Sequence, residues 1–561
     1  MKRSLVATAL LLSACAAPQP DLVIRNAQVL DVDTGELTSA SVVVRDGVIS
    51  EVSPSWSGIA DTEVDAEGRV LIPGLVDAHT HVDHPDELNL YPAFGVTGVM
   101  VLRGFPNHLT WRSEIEEGTR FGPRMFLTGD YMDGYPPWMQ PMLSVRDSAS
   151  ARAAVRRQLD AGFDMIKVYT RLPNELREAI VQETHAAGSC VIGHAGPDTG
   201  LDTLVAMGQD NIAHGNDINR WYFNDGDTDE NVARTTQTIA AGSRTTVTPN
   251  LSWTGGLLAQ GTSLDSLLAR PVARALHPAI LQPFRPANNR YIRNSEEWVP
   301  QVRARLEVEN AVTLALQEAG VPLLAGTDAS TAGVFPGDAL HEELRMLVDA
   351  GLTPLQALQA ATSNAGDFLR RCVNDDLRMG RIAEGYVADL VLLDDNPLEE
   401  ITHSRSIAAV FTDGQLHTRG QLQARLDSLN AAYNPLRPAV IDLEQALFSG
   451  RTDRARVLFD SLRTVYPGEI LFSQYTPFFV GFGYLYGENG FSTDPERLDA
   501  ALDLYSMYAE TYPDYHSAHY QLGLTHLARG DTAAARSSLE QAIAIHPDYP
   551  DALDRLQGLD D

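Results

Sequence analysis

Eight apolar, β-rich runs with polar residues near their ends, most followed by a helical pattern, predict an α/β chain centred on a (β/α)8 barrel. Two other textures complete the prediction. Alternating apolar and polar residues on both flanks of the barrel predict one small β-sandwich assembled from both ends, and recurring helical hairpins predict an all-α C-terminal domain.

At 561 residues the chain is too long for a single core. Its 44% hydrophobic and 21% charged content is that of a globular protein. A formal net charge of -31 repels phosphates, which argues against nucleic acid and anionic membrane surfaces as partners. The N-terminus reads MKRSLVATALLLSACAAPQP: a basic start, a short apolar run and then Leu12-Ser13-Ala14-Cys15. That is export chemistry rather than fold, and it resembles a bacterial lipobox. Residues 1–15 are therefore expected to act as a lipoprotein signal peptide with Cys15 lipidated. The mature chain would face the periplasm from the cell envelope, with Ala16 favouring the outer membrane and the lipid as its only membrane contact. Cys190 and Cys372 are then the remaining cysteines and are read as inert core thiols, too few for a Cys-based metal site.

Residues 21–70 alternate between Asp-Gly and Thr-Gly turns, and the texture returns at 380–420, which gives the composite β-sandwich. Between them, 71–379 holds the barrel runs LIPGLVDAH, GVTGVMVLR, PRMFLTG, DMIKVYT, CVIGHA, DNIAHG, RTTVTP and VPLLAGTDA. Runs this continuously apolar suit parallel strands covered on both faces. The long connection from Leu251 to Asn310, with WTGG, RPANNRYIR and Trp298, is expected to form a lid. At the C-terminal end, YPDYHSA and HPDYPDA put Pro513 and Pro547 one tetratricopeptide period apart, with Leu522, Gly523, Gly530, Ala535, Leu539 and Ala542 at the offsets that pattern requires. Three TPR-like hairpins are expected over 436–561.

The strand ends carry the chemistry. His79 and His81 in DAHTH point the same way from strand one, since alternate residues of a strand share a face. Lys167 ends strand four, His194 strand five, His214 strand six and Asp328 strand eight, all at the face where barrel enzymes keep their sites. Lys167 is conspicuous because the only other lysine is Lys2, every other basic side chain being arginine. A cationic lysine among four histidines would repel metal. As an N6-carboxylated lysine it would carry one negative charge and two oxygens, enough to bridge two divalent ions, and only an amine that can become neutral forms a carbamate.

Taken together, HTH, IKVY, GHA, AHG and GTDA, with GLTPLQALQAAT and GRIAEGYVADLVLLDDNPL, resemble the amidohydrolase superfamily over about residues 22 to 420, nearest to its imidazolonepropionase-like and prolidase-like members with a carboxylated lysine. The resemblance implies that His79 and His81 hold the more buried metal, His194 and His214 the more exposed one, and that carboxylated Lys167 bridges them. It also implies that Asp328 binds metal and is the catalytic acid and base. The expected reaction is hydrolysis of a C–N bond in a small amide, a dipeptide or N-acyl amino acid, by a binuclear-metal-activated hydroxide, with zinc as the default metal. VYTRLPNELREAIVQE departs from the prolidase-like pattern and leaves the substrate class open.

Arg103 and Tyr169 lie at the barrel mouth as candidates for binding a substrate carboxylate or carbonyl. His84, His108, His185 and His341 are read as surface or satisfied core histidines. Alternatives are a lactonase or cyclic amide hydrolase, a deaminase, and a lipid-anchored scaffold whose repeats recruit a protein partner or a second copy of the chain.

Overall fold

The computed structural model describes residues 19–135, 137, 142–281, 295–331, 333–474, 476–487, 490–547 and 549–560. The signal peptide with Cys15, and RPANNRYIR, lie outside the described residues.

The flanks build one sheet, as their alternation requires. From the N-terminal side come β1 (Leu22–Leu30), β2 (Leu37–Arg45), β3 (Val48–Ser53), β4 (Thr62–Asp65) and β5 (Val70–Pro73). From beyond the barrel come β15 (Leu390–Leu393), β16 (Ile407–Thr412) and β17 (Gln415–Thr418). The order is β17-β16-β15-β5-β1-β2-β3, with β4 also on β1, and the antiparallel pair β5·β15 joins the two flanks. Leu22, Ile24, Val42, Leu71, Leu390 and Phe411 share its apolar core.

Between the flanks run seven barrel strands: β6 (Leu75–Thr80), β7 (Val96–Val101), β8 (Arg124–Leu127), β11 (Ile166–Val168), β12 (Val191–Gly193), β13 (Asn211–Ile212) and β14 (Thr246–Val247). Every neighbouring pair named among them is parallel. Residues 321–329 take the eighth place through parallel bridges Val247↔Leu323 and Thr80↔Ala329, and Thr128↔Met165 links β8 to β11. The ring is thereby closed, which removes sheet edges and directs the strand ends to one mouth. Two short strands, β9 (Met132–Asp133) and β10 (Leu143–Ser144), extend the wall after the third barrel strand.

Two glycines set how tightly strands meet at that mouth. A side chain on Gly326 would bring its Cβ within 2.8 Å of His79 Cβ and 2.6 Å of Thr248. Gly193 has φ 153° and lies against the backbone of Val168, leaving no space for a side chain beside Lys167.

Cys190 and Cys372 form a disulfide across 182 residues, so they are a staple and not free core thiols. Cys190 directly precedes β12, and Cys372 ends the helix Ser363–Cys372, whose Phe368 and Leu369 pack in the cluster that holds Ile192. Helix packing fixes that pairing, and residue spacing along the chain carries no trace of it.

The C-terminal helices pair as three hairpins, Arg419–Phe448 with Thr452–Val465, Thr476–Leu485 with Pro495–Thr511, and His516–Ala528 with Thr532–Ile545, closed by Pro550–Asp560. The first helix starts at Arg419, capped by Thr418, and not at 436. It runs through Pro435 and Pro438, each of which removes one backbone donor from the helix. Among the described residues no helix is long and apolar enough to cross a membrane.

Candidate metal centre

At the barrel mouth β6 delivers His79 and His81, both buried, against Asp328 at the end of the eighth strand. Asp328 Oδ1 lies 2.8 Å from His81 Nε2 and 3.4 Å from His79 Nε2, so one donor atom from each residue converges within metal-ligand spacing. Asp328 has φ 63°, the left-handed region that aspartate tolerates, which turns its carboxylate toward the histidines. Burial alone would raise this carboxyl, but His79 and His81 hold it well below the usual range.

His194 and His214 continue the row. The imidazoles of His194 and His214 stack with centroids 4.5 Å apart, and His214 lies 4.6 Å from His79. The outward nitrogens show how the rings are oriented. His79 Nδ1 lies 3.0 Å from the Ala213 carbonyl, and His194 Nδ1 lies 2.9 Å from Asp217 Oδ2. Each Nδ1 faces an acceptor and carries the proton, which leaves the Nε2 lone pair for a metal.

Lys167 is buried at 1% exposure and its Nζ has no hydrogen-bond partner. Burial takes the amine down to about 7, and burial, with a smaller contribution from the amine's charge, lowers His79, His81, His194 and His214. A buried unpaired ammonium costs several kcal/mol, so a lysine placed here favours its neutral or modified form. Orphaned Lys167 Nζ and His79 Nε2, with the shared carboxylate oxygen, fit a divalent metal site.

Five of the six expected positions thus form one connected set around Lys167: the His79, His81 and Asp328 trio, then His214 and His194. Tyr169 is at the mouth, its ring 4.2 Å from His194 and 5.4 Å from Tyr131. Arg103 is also buried there, but its Nη2 pairs with Asp83 Oδ1 at 2.7 Å, and its guanidinium lies over Phe105 and Tyr131. Trp253, from the long connection, lies 6.2 Å from His214, and the described part of that connection holds the helices Leu251–Thr262, Leu264–Leu268, Pro271–Ala275 and Ser295–Glu318.

Sequence reasoning missed four contributors. Asp217 orients His194, and its signal was a carboxylate three residues after His214 in AHGNDIN. Asp77, on the His79 face of β6, accepts from Thr327 Oγ1 at 2.6 Å and from the Thr327 and His79 backbone, which pins strand eight to strand one. Burial raises Asp77 to about 7. Tyr131 places its hydroxyl 3.5 Å from His81 Nε2. Arg177, fully buried, ties Gln209 to the carbonyls of His194 and Tyr169. Of the four histidines read as inert, His108, His185 and His341 are satisfied by Val82, Asp210 and Ser404. His84 is different and joins the helical repeats.

Residues 292–417 match the family model "Amidohydrolase family" and residues 517–549 match "Tetratricopeptide repeat". Adenine deaminase 1 of Latilactobacillus sakei is 24% identical over 445 residues, 75% of this chain and 62% of its own. L-hydantoinase of Paenarthrobacter aurescens is 26% identical over 35% of this chain and 45% of its own. The chain spans less than two thirds of the length of these curated relatives. Among solved structures, bottromycin amidohydrolase is 26% identical with TM-score 0.61, over 73% of this chain and 90% of that one. A Xaa-Pro dipeptidase shares the fold at 20% identity and TM-score 0.54, over 71% of this chain and 99% of its own.

Proposed function

Starting from a chain that carries an amidohydrolase-family domain and its fold, we propose a metal-dependent hydrolase that cleaves a C–N bond of a small amide, such as a dipeptide or N-acyl amino acid. The observation that carries this reading is the Lys167 amine, buried and without a hydrogen-bond partner where four histidines and Asp328 converge. A neutral amine there adds to the carbon of carbon dioxide, forms an N–C bond and releases one proton. The resulting carbamate has one negative charge and two oxygens, in place of a cation the site cannot solvate.

His79, His81 and Asp328 would hold one divalent ion and His194 and His214 a second, with carboxylated Lys167 shared and zinc suited to the donor set. Metal bound there supplies a water of lowered pKa and polarises the scissile carbonyl. The remaining steps belong to side chains. Asp328, kept ionised by its histidines, is in place to take a proton from the attacking water and give it to the leaving amine. Burial raises the Tyr169 phenol, so it stays protonated as a donor to a substrate oxygen. Arg103 is paired with Asp83 behind Tyr131, so its charge is balanced there and it braces that side of the mouth.

Deamination has one observation in its favour, the adenine deaminase similarity across 75% of this chain. The buried lysine weighs against it, because a single metal needs no bridging carbamate. The test is metal content per chain for wild type and Lys167→Arg, with turnover of dipeptides, N-acyl amino acids, lactones and adenine. Two ions falling to one or none, with loss of dipeptide or N-acyl turnover, is the expected result. One ion or none in wild type, unchanged by the substitution, would sink the binuclear reading.

The Leu12-Ser13-Ala14-Cys15 stretch supports a lipid anchor facing the periplasm. Cys15→Ser should then move the protein from the membrane to the soluble fraction.

A further inference from the structure

The loop after His81 is gripped from the helical repeats by three side chains. Gln474 donates its amide to Asp83 Oδ1, the oxygen that Arg103 also holds. Tyr433 donates its hydroxyl to Asp86. Between them, Glu469 Oε1 lies 3.3 Å from His84 Nε2 and 2.9 Å from His277 Nε2, with the two imidazoles stacked 4.4 Å apart. His277 follows the helix Pro271–Ala275 of the long connection. One carboxylate thus joins the loop after strand one, the long connection after Leu251, and the repeats.

His84, His277 and Glu469 have the donor types and spacing of a metal site. Their tautomers point elsewhere. His84 Nδ1 accepts the Asp86 backbone N–H and His277 Nδ1 accepts that of Ala279, each at 3.2 Å. With that lone pair engaged, the neutral ring carries its proton on Nε2, which faces the carboxylate and has nothing left to offer a metal. His79 and His194 have the opposite arrangement, with Nδ1 facing an acceptor. Burial takes His277 down to about 4, so it stays neutral, and the two imidazoles that face Glu469 keep its carboxyl low. Two stacked imidazoles closing on one carboxylate make a clamp.

From the barrel side, Glu87 accepts the backbone N–H of Asp83 at 2.9 Å and of His84 at 2.7 Å, together with the Ser330 hydroxyl two residues past Asp328. The clamped loop therefore touches both ends of the His79, His81 and Asp328 trio. Further contacts run along the same face of the repeats. Tyr515 packs 5.0 Å from Phe105, His516 Nε2 lies 3.7 Å from Asp130, and Arg146 pairs with Asp554 at 2.5 Å.

We propose that Glu469, supported by Tyr433 and Gln474, is a positioning residue that the helical repeats contribute to the barrel's active site, so that this face of the repeats serves the chain's own barrel and not a separate protein. The catalytic half of the proposal rests on the hydrolase reading above; the structural half does not, and the test separates them. Hydrogen exchange is followed by mass spectrometry on the full chain for wild type, Glu469→Ala, Glu469→Gln and Tyr433→Phe.

The Ala variant should exchange about tenfold faster in residues 82–90 and 271–281, with 191–217 and metal content unchanged. The Gln variant, which keeps one acceptor oxygen, should fall between. Tyr433→Phe should loosen 82–90 alone, and it carries the test if the Ala variant does not fold. On whichever substrate turns over, KM should rise about tenfold in the Ala variant while kcat stays within about threefold. Unchanged exchange in both segments, or faster exchange spread evenly over the chain, overturns the clamp. Faster local exchange with unaltered kinetics overturns its role in the site. A further metal ion, present in wild type and lost in Glu469→Gln, overturns the tautomer assignment.

Discussion

His194 Nδ1 lies 2.9 Å from Asp217 Oδ2, and that contact fixes both the tautomer of the imidazole and the direction of its Nε2. Asp217→Ala frees the ring to rotate and to move its proton. Metal affinity should fall about 10-fold to 100-fold, with loss concentrated in one of two ions. A chelator titration of wild type and variant measures it. Equal affinities would show that ring stacking on His214 alone orients His194.

Gly326 lies where strand eight packs against strand one with no space for a side chain. An alanine there places its Cβ 2.9 Å from the His79 backbone nitrogen and 2.6 Å from Thr248 Cγ2. Overpacking of this kind costs about 1–3 kcal/mol, and here the backbone that must move carries His79 and Asp328. Gly326→Ala should therefore lower metal content more than it lowers the melting temperature. A melting point that falls while metal content holds would make the glycine a matter of stability alone.

Much of this was legible in the sequence because a barrel strand ends its apolar run where it reaches the mouth. His79, His81, His194, His214 and Asp328 each punctuate such a run, and Lys167 stood out because every other basic side chain but Lys2 is arginine. What was hidden depended on packing between distant segments. Cys190 and Cys372 meet only because a helix lies under β12. Asp217 stands three residues after His214 and has no other mark in sequence, and only the fold turns it toward His194. His84 looked inert because its partner, Glu469, is supplied by another domain. The helix that opens this region begins at Arg419, ahead of the repeat offsets, which start to recur only from about 436.

The disulfide closes a loop of 182 residues, and the chain-entropy account gives such a bridge up to about 5 kcal/mol. Cys372→Ser should lower unfolding free energy by about 2–5 kcal/mol, and wild type unfolded in reductant should match it. Thiol counting in denaturant without reductant checks the premise. Free thiols at both cysteines would mean the pair is reduced in the native protein.

Glu309, in the helix Ser295–Glu318, is 2% exposed, with Arg305 Nε 3.1 Å from its carboxylate. Burial outweighs that pairing and raises the carboxyl from 4.5 to about 7. A raised folded pKa means the folded state holds its proton longer than the unfolded chain. The stability this gives is complete below about pH 4.5 and is lost as pH rises through 7. Glu309→Gln copies the protonated form at every pH. The variant should match wild type near pH 4.5 and gain on it up to pH 7, by at most about 3 kcal/mol, less the lost pairing with Arg305. Denaturant melts of both proteins at pH 5 and pH 8 decide it. Parallel stability curves would mean that Arg305 keeps Glu309 ionised throughout, and that the helix carries a true ion pair in its buried face.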